Sequence, residues 1–292
     1  MSIKSHIRDL GKRAVSHISS ALDWMFGNRV EEKIGILVYH RIAHHPRGLR
    51  CPSMNVTPRR FRDQIVGLLN QGIEIWPLQR ILDAHEQQHE MPRKVAAITF
   101  DDGFESVYTG AWPTLSELNV PATIFLSTAY LDRSEPFPFD DWGREHQRRA
   151  PSTSYRPLTS VQCAEMMSSG LVELGSHTHT HQDFRNRPLD LQRDVEISIE
   201  ILRQRFSITN CTFAFPFGRI RYGYAGGELS DVIRNSKARC ALTTEATLVD
   251  LRSDPFSWGR FNAYQWDNST SIQSRLHGWY SWGPGLQEWL LP

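Results

Sequence analysis

"AITFDDGFES", residues 97–106, closes an apolar run on two adjacent aspartates and a glycine. The run begins at Val95, so Val95–Phe100 has the length and composition of a strand buried on both faces. Such a strand does not end on two like charges unless something nearby uses them. In parallel α/β folds, sites gather at the carboxyl ends of strands. Asp101 and Asp102 stand at that kind of end.

The rest of the chain repeats the pattern. Ile34–Tyr39, Ala122–Leu126, Val172–Leu174, Thr212–Phe215 and Cys240–Thr243 are further short apolar runs, with helical patterns between them. Thr57-Pro58 starts a helix as an N-cap with proline in the first turn, followed by the stripe Phe61, Ile65, Leu68, Leu69. Thr159 and Gln162 read as a capping box, and Gly170 stops that helix. Leu191, Val195, Ile199, Leu202 and Phe206 form a third stripe after Pro188. Strands alternating with helices predict an α/β fold around a parallel sheet, open or closed into a barrel. Residues 131–157 break this rhythm as a long polar, proline-marked insertion, expected to rim the site.

The 292 residues are 40% hydrophobic and 22% charged, with a formal net charge of +1. Ordinary globular composition follows, without the basic excess of a nucleic-acid-binding protein. Cys51, Cys163, Cys211 and Cys240 are scattered and form no CxxC, so buried free thiols are expected. No apolar run reaches the roughly 18 residues of a membrane span, and no signal peptide is expected. In residues 1–30, Ile3, Ile7, Leu10, Ala14, Ile18, Ala21 and Met25 recur at helical spacing, with Lys4, Arg8, Lys12 and Arg13 elsewhere on the wheel. A basic amphipathic helix of this type packs on its own domain or a partner, or lies on an anionic membrane surface.

Four strand ends carry polar groups: Tyr39-His40, Asp101-Asp102, "GSHTHTH" (175–181) and "PFGR" (216–219). Successive strand residues point to opposite faces, so both aspartates reach one site only if the chain turns, as Gly103 permits. Two neighbouring carboxylates resist joint ionisation unless a cation stands beside one of them. One aspartate is then a metal ligand, and the other is free to move protons. His177 and His181, four apart, would share one side of a helical turn. Two histidines and a carboxylate make a three-ligand site with an open position, as in catalytic zinc centres. His179, between them, is a competing candidate ligand, expected instead in a supporting role or facing solvent. Taken singly, a DD after a strand is an ordinary turn or cap, and a histidine-rich tract can be surface sequence.

"TFDDG" (99–103), "SHTHTH" (176–181) and "FAFPFG" (213–218) resemble the motifs of the polysaccharide deacetylases, carbohydrate esterase family four, with the NodB-homology domain. "GILVYHRI" (35–42), "PATIFLST" (121–128) and "DPFSWGRFN" (254–262) are similar, in the same order, to the exopolysaccharide and capsule subgroup. The resemblance implies a distorted (β/α) barrel of about seven strands. It implies a deacetylase domain over residues 33–281, between an N-terminal amphipathic helical segment (1–32) and a C-terminal tail (282–292). It further implies metal-dependent hydrolysis of N-acetyl groups on an amino-sugar polysaccharide or glycan precursor. Asp101 would be the general base; Asp102, His177 and His181 would hold the divalent metal, expected to be zinc. The N–H near Phe217 would hold the tetrahedral oxyanion.

Two positions depart from the family pattern. The arginine usual before the proline-aromatic motif is Ala214, and Arg260 either supplies a guanidinium to Asp101 instead or forms a sheet-edge ion pair. The catalytic-acid histidine of a late Leu-x-His-like motif has a superficial counterpart in His277, but the expected acid is His40, after the first strand. Each aromatic residue taken singly is expected to fill the core, and among them Trp258 is the best candidate for a glycan contact. Other metal chemistry is a rival: His177-Thr178-His179 resembles the paired histidines of barrel amidohydrolases, and His181-Gln182-Asp183 the HxD of iron(II) oxygenases. Neither explains the aspartate pair. A glycan-binding protein that has lost catalysis is a second rival, kept open by Ala214. A cytoplasmic protein at the inner face of the membrane, acting on a lipid-linked or nucleotide-linked precursor, is the expected setting.

Overall fold

The structure is a computed structural model that describes residues 3–30, 33–52, 54–89 and 94–280, with side chains from residue 10 onward. The expected tail, residues 282–292, lies outside the described residues. In chain order the elements are α1 (Ile3–Phe26), β1 (Lys33–Tyr39), β2 (Arg41–Ile42), β3 (Asn55–Val56), α2 (Pro58–Asn70), β4 (Glu74–Ile75) and α3 (Leu78–Glu86). There follow β5 (Val95–Phe100), α4 (Trp112–Leu118), β6 (Ala122–Leu126), α5 (Asp141–His146), α6 (Ser160–Ser168), β7 (Val172–Ser176) and α7 (Pro188–Phe206). The last are β8 (Phe213–Ala214), α8 (Gly227–Asn235), β9 (Ala241–Leu242), β10 (Val249–Asp250), β11 (Phe261–Asn262) and α9 (Ser269–Leu276).

The strands run in the order β10-β1-β5-β6-β7-β8-β9, with β11 beside β1 and β4 beside β5. Every pairing along this curled sheet is parallel except β10 with β1. The result is a distorted (β/α)7 barrel, as expected. β5 is buried along its whole length and pairs with β1 over five residues, Gly35 with Ala96 through Tyr39 with Phe100. That register brings His40 and Asp101 out of the sheet side by side. Likewise β6 and β7 end together, Leu126 opposite Ser176, and deliver the 177–181 loop next to them.

The helices cover the sheet for the reasons the sequence carries. Thr57 caps α2 by accepting from the Arg60 N–H, and Pro58 occupies its first turn. Thr159 and Gln162 form the capping box of α6. α7 buries Leu191, Val195 and Leu202 from its apolar stripe. α1 packs on α9, which in turn packs on α2. Among the described residues no helix is long and apolar enough to cross a membrane. Three of the cysteines are buried and unpaired, as expected, whereas Cys51 is free and exposed.

Candidate active site

The turn after β5 brings both aspartates into one pocket of side chains. Asp102 itself adopts a left-handed backbone (φ 71°), and Gly103 follows at φ 85°. A Cβ on Gly103 would stand 2.7 Å from the Leu126 side chain, so the position needs glycine for its conformation and for space. The His177–His181 segment does not form the helical turn expected from the four-residue spacing. It is a loop with left-handed residues at Thr178 (φ 66°) and His181 (φ 53°), which fold His181 back toward His177. Phe217 is also left-handed (φ 63°). Non-glycine residues in this region are uncommon and cost free energy, and four of them at one strand-end face make it the candidate site.

The loop is held by a residue that sequence reading missed. Asp194, buried on α7, accepts hydrogen bonds from the N–H groups of His179 and Thr180 and from the Thr180 hydroxyl. The signal was available: Asp194 lies three residues after Leu191, on the inward side of the α7 stripe, where a carboxylate requires partners. His179 points its Nδ1 at the Thr128 hydroxyl, 3.0 Å away, in the supporting position expected for it.

Asp102 Oδ1 lies 3.5 Å from His177 Nε2 and 3.3 Å from His181 Nε2. All three side chains are buried, and their donor atoms lie within 4.8 Å of one another. His177 Nδ1 donates to the Ala214 carbonyl at 2.8 Å, which turns Nε2 toward Asp102, where it donates to the carboxylate when the ring is protonated and offers a lone pair to a cation when it is not. Two imidazole nitrogens and a carboxylate oxygen at this spacing fit a single divalent cation. Burial opposes ionisation of Asp102, but hydrogen bonding with His177 and His181 outweighs it and holds the carboxyl well below its usual range. Burial lowers the His177 pKa, Asp101 and Asp102 raise it, and the balance is upward.

Asp101 sits 4.0 Å from His177 Nε2 and is held from behind by Arg260. The guanidinium donates to both carboxylate oxygens, at 2.6 and 2.7 Å, and also to the Thr243 carbonyl and the Thr99 hydroxyl. Arg260 is wholly buried, so this pair is not a sheet-edge ion pair. Burial pushes the Asp101 pKa up; Arg260 and then His177 push it down, and the carboxyl stays ionised below the ordinary range. Ala214, where the family pattern has arginine, contributes only its carbonyl, to His177. His40 stands within the field of Asp102, Asp101, Arg260 and His177, and burial lowers its pKa despite both carboxylates. Its buried Nδ1 has no hydrogen-bond partner among the described residues. His277 belongs elsewhere: it ends α9 and bonds Asp23 of α1 at 2.6 Å.

Aromatic rings wall the opening. Phe139, from the 131–157 insertion, stacks on His181 with centroids 3.8 Å apart. Phe217 meets His181 edge-on at 5.2 Å and is 47% exposed, and its N–H has no acceptor among the described residues. The insertion is pinned by the buried Arg41–Asp140 pair and by Phe137 against Phe104. Trp258 is corrected as a glycan contact. It is 2% exposed and packs in the core with Ile36, Trp76 and Leu242, so its faces are not open to a sugar.

A family model described as polysaccharide deacetylase matches residues 88–233, half of the chain. The poly-beta-1,6-N-acetyl-D-glucosamine N-deacetylase of Staphylococcus aureus is 26% identical over 213 residues. That match covers 70% of this chain and 66% of the relative, so the chain spans just under two thirds of that protein's length. The Streptococcus pyogenes deacetylase PplD, solved with acetate, superposes with a TM-score of 0.68 at 19% identity, covering 85% of this chain and 99% of that one. IcaB from Ammonifex degensii superposes at 0.64 and 19% identity, covering 89% and 98%. With the family model spanning the DD turn, the histidine loop and the helices between them, the chain belongs to the polysaccharide deacetylase family.

Proposed function

We propose that this protein is a metal-dependent carbohydrate N-deacetylase acting on an amino-sugar polysaccharide or glycan precursor. The observation that carries the reading is the division of labour between adjacent aspartates. Asp102 faces two imidazoles, while Asp101 is turned away onto Arg260 and remains within 4.0 Å of His177. That is the arrangement amide hydrolysis requires: a held cation beside a separate ionised base. The cysteine-free ligand set of two nitrogens and one oxygen suits zinc.

A divalent cation held by Asp102, His177 and His181 would supply Lewis acidity to the amide carbonyl and acidify water. Asp101 is the proposed base, taking a proton from the attacking water. The Phe217 N–H, which has no acceptor among the described residues, is the proposed donor to the tetrahedral oxyanion. His40 is the proposed acid, donating a proton to the departing nitrogen. Water adds to the carbonyl carbon, the C–N bond breaks, and acetate and a free amino sugar leave. The S. aureus relative is named for an N-acetylglucosamine polymer, which supports a polymer of that chemical class as substrate. The exposed Phe217 and the half-buried Phe139 form the aromatic wall such a chain would meet.

The test is acetate release from N-acetylated glucosamine oligomers by zinc-loaded protein, with Asp101→Asn as control. Acetate from wild type and at least about a hundredfold less from the variant is the expected result. Metal binding with oligomer affinity but no acetate would identify a binding protein instead.

A further inference from the structure

α1 is amphipathic, but the side it turns toward the domain is its polar one. Among the described side chains of the helix, Ser16, Ser19 and Asp23 are buried there with Val15, and Leu22 is half-buried. The Ser16 hydroxyl donates to Asp267, the Ser19 hydroxyl to the Trp279 carbonyl, and Asp23 pairs with His277. From Leu10 onward, where side chains are described, the apolar stripe read from the sequence faces solvent. Leu10 is 53% exposed, Ile18 50% and Met25 55%, with exposed Ala14 and Ala21 between them. Trp24, at the end of the stripe, is 87% exposed, and Phe26 beside it is exposed too. From Leu10 to Met25 the stripe is about 22 Å long at the rise of an α-helix. A helix that hydrogen-bonds through serines and presents leucine, isoleucine, methionine and tryptophan outward has a second surface to cover.

Charge selects what covers it. Residues 1–30 carry five Lys or Arg against two Asp, although the whole chain is only +1. One of those acids, Asp23, is buried against His277. Three of these cations lie over rings of the domain: Lys12 over Tyr264, Arg13 over Trp266 and Arg29 over Trp279. Basic groups flanking an apolar stripe with a terminal tryptophan are complementary to anionic headgroups over acyl chains. A second copy would bring like charges together across the same face. We propose that α1 is an interfacial anchor that seats the Leu10–Ile18–Met25 stripe in an anionic lipid surface. Tyr264 and Trp266 follow β11, which runs parallel to β1, so the amino-terminal half of the helix lies at the strand-end face that carries the site. Docking would therefore keep the mouth of the site beside the bilayer.

Lipid binding is measured without reference to catalysis. Full-length protein is sedimented with vesicles of equal parts phosphatidylcholine and phosphatidylglycerol, and with phosphatidylcholine alone. Wild type is expected in the pellet with the anionic vesicles and released by high salt. Ile18→Glu/Met25→Glu, at exposed positions, is expected to lower the partition coefficient at least about tenfold with unchanged circular dichroism and Tm. Wild type remaining in the supernatant, or the variant binding equally well, would overturn the proposal. So would a lipid-free dimer that the double variant converts to monomer, since that would give the stripe to a second copy.

Discussion

Arg260 and Asp101, 159 residues apart, meet as a buried two-pronged pair at 2.6 and 2.7 Å. Neither has another full charge of opposite sign as close: Asp101 is 4.0 Å from His177, and the remaining Arg260 donors go to neutral oxygens. Removing one partner leaves the other charged and buried, which typically costs about 3–5 kcal/mol. Arg260→Ala is therefore expected to lower unfolding free energy by about that amount and acetate release by at least about a hundredfold. The Arg260→Ala/Asp101→Asn double variant should recover stability in urea titration while remaining inactive. If Arg260→Ala keeps both stability and activity, Arg260 does not position the base.

The ligand set makes a separate prediction. Asp102→Asn keeps an oxygen near His177 and His181 but removes the charge that balances a cation, and His177→Ala removes a nitrogen. Each should reduce zinc affinity by more than the roughly 10–100-fold that follows loss of an outer partner. Metal per chain after dialysis, measured by elemental analysis, checks it. A chelator should remove acetate release from wild type, and added zinc should restore it.

The six expected strands all coincide with strands of the sheet, because parallel strands buried on both faces leave continuous apolar runs bounded by turns. The convergence of Asp102, His177 and His181 was legible for a related reason: the aspartate turn and the histidine loop each begin where such a run ends. The conformation of the histidine loop was not. A four-residue spacing suits a helical turn, but Asp194 and the Thr178 hydroxyl, which accepts from the His181 N–H, fix a tighter path. The stacking of Phe139 on His181 depends on how a 27-residue insertion folds back, which no local pattern encodes. Trp258 lies outside the apolar runs that mark the strands, as a loop residue does; the structure turns its ring inward beside His85. The apolar stripe of α1 was visible, but which way it faced depended on the serines bonding Asp267 and Trp279.

The two histidines considered as the acid are distinguished by their surroundings. His40 shares the strand-end cluster with Asp101 and Asp102, whereas His277 joins α9 to α1 through Asp23. His40→Ala is expected to lower acetate release at least about a hundredfold, with metal content unchanged. His277→Ala should retain activity and lose about 1–3 kcal/mol of stability, because Asp23 is left buried without its partner. The opposite pattern would move the acid to the late motif.

Glu173 provides a pH dependence away from the metal site. It lies on β7, where Oε2 accepts from the Thr123 hydroxyl at 3.0 Å and from the Gln79 N–H at 3.3 Å. Burial raises its pKa from the ordinary 4.5, and these two hydrogen bonds lower it only in part. In the window between the ordinary and the raised value, the folded protein holds more protons than the unfolded chain. Stability must then fall as pH rises through that window, and the penalty persists above it. Glu173→Gln keeps a carbonyl oxygen for Thr123 and Gln79 but has no charge to desolvate. Its Tm should exceed that of wild type at about pH 8 and converge with it below about pH 4, where the glutamate is protonated in both states. Gln79 opens the first turn of α3, and the positive end of that helix favours a carboxylate. A Glu173→Gln protein less stable than wild type at about pH 8 would show that this attraction exceeds the cost of burial.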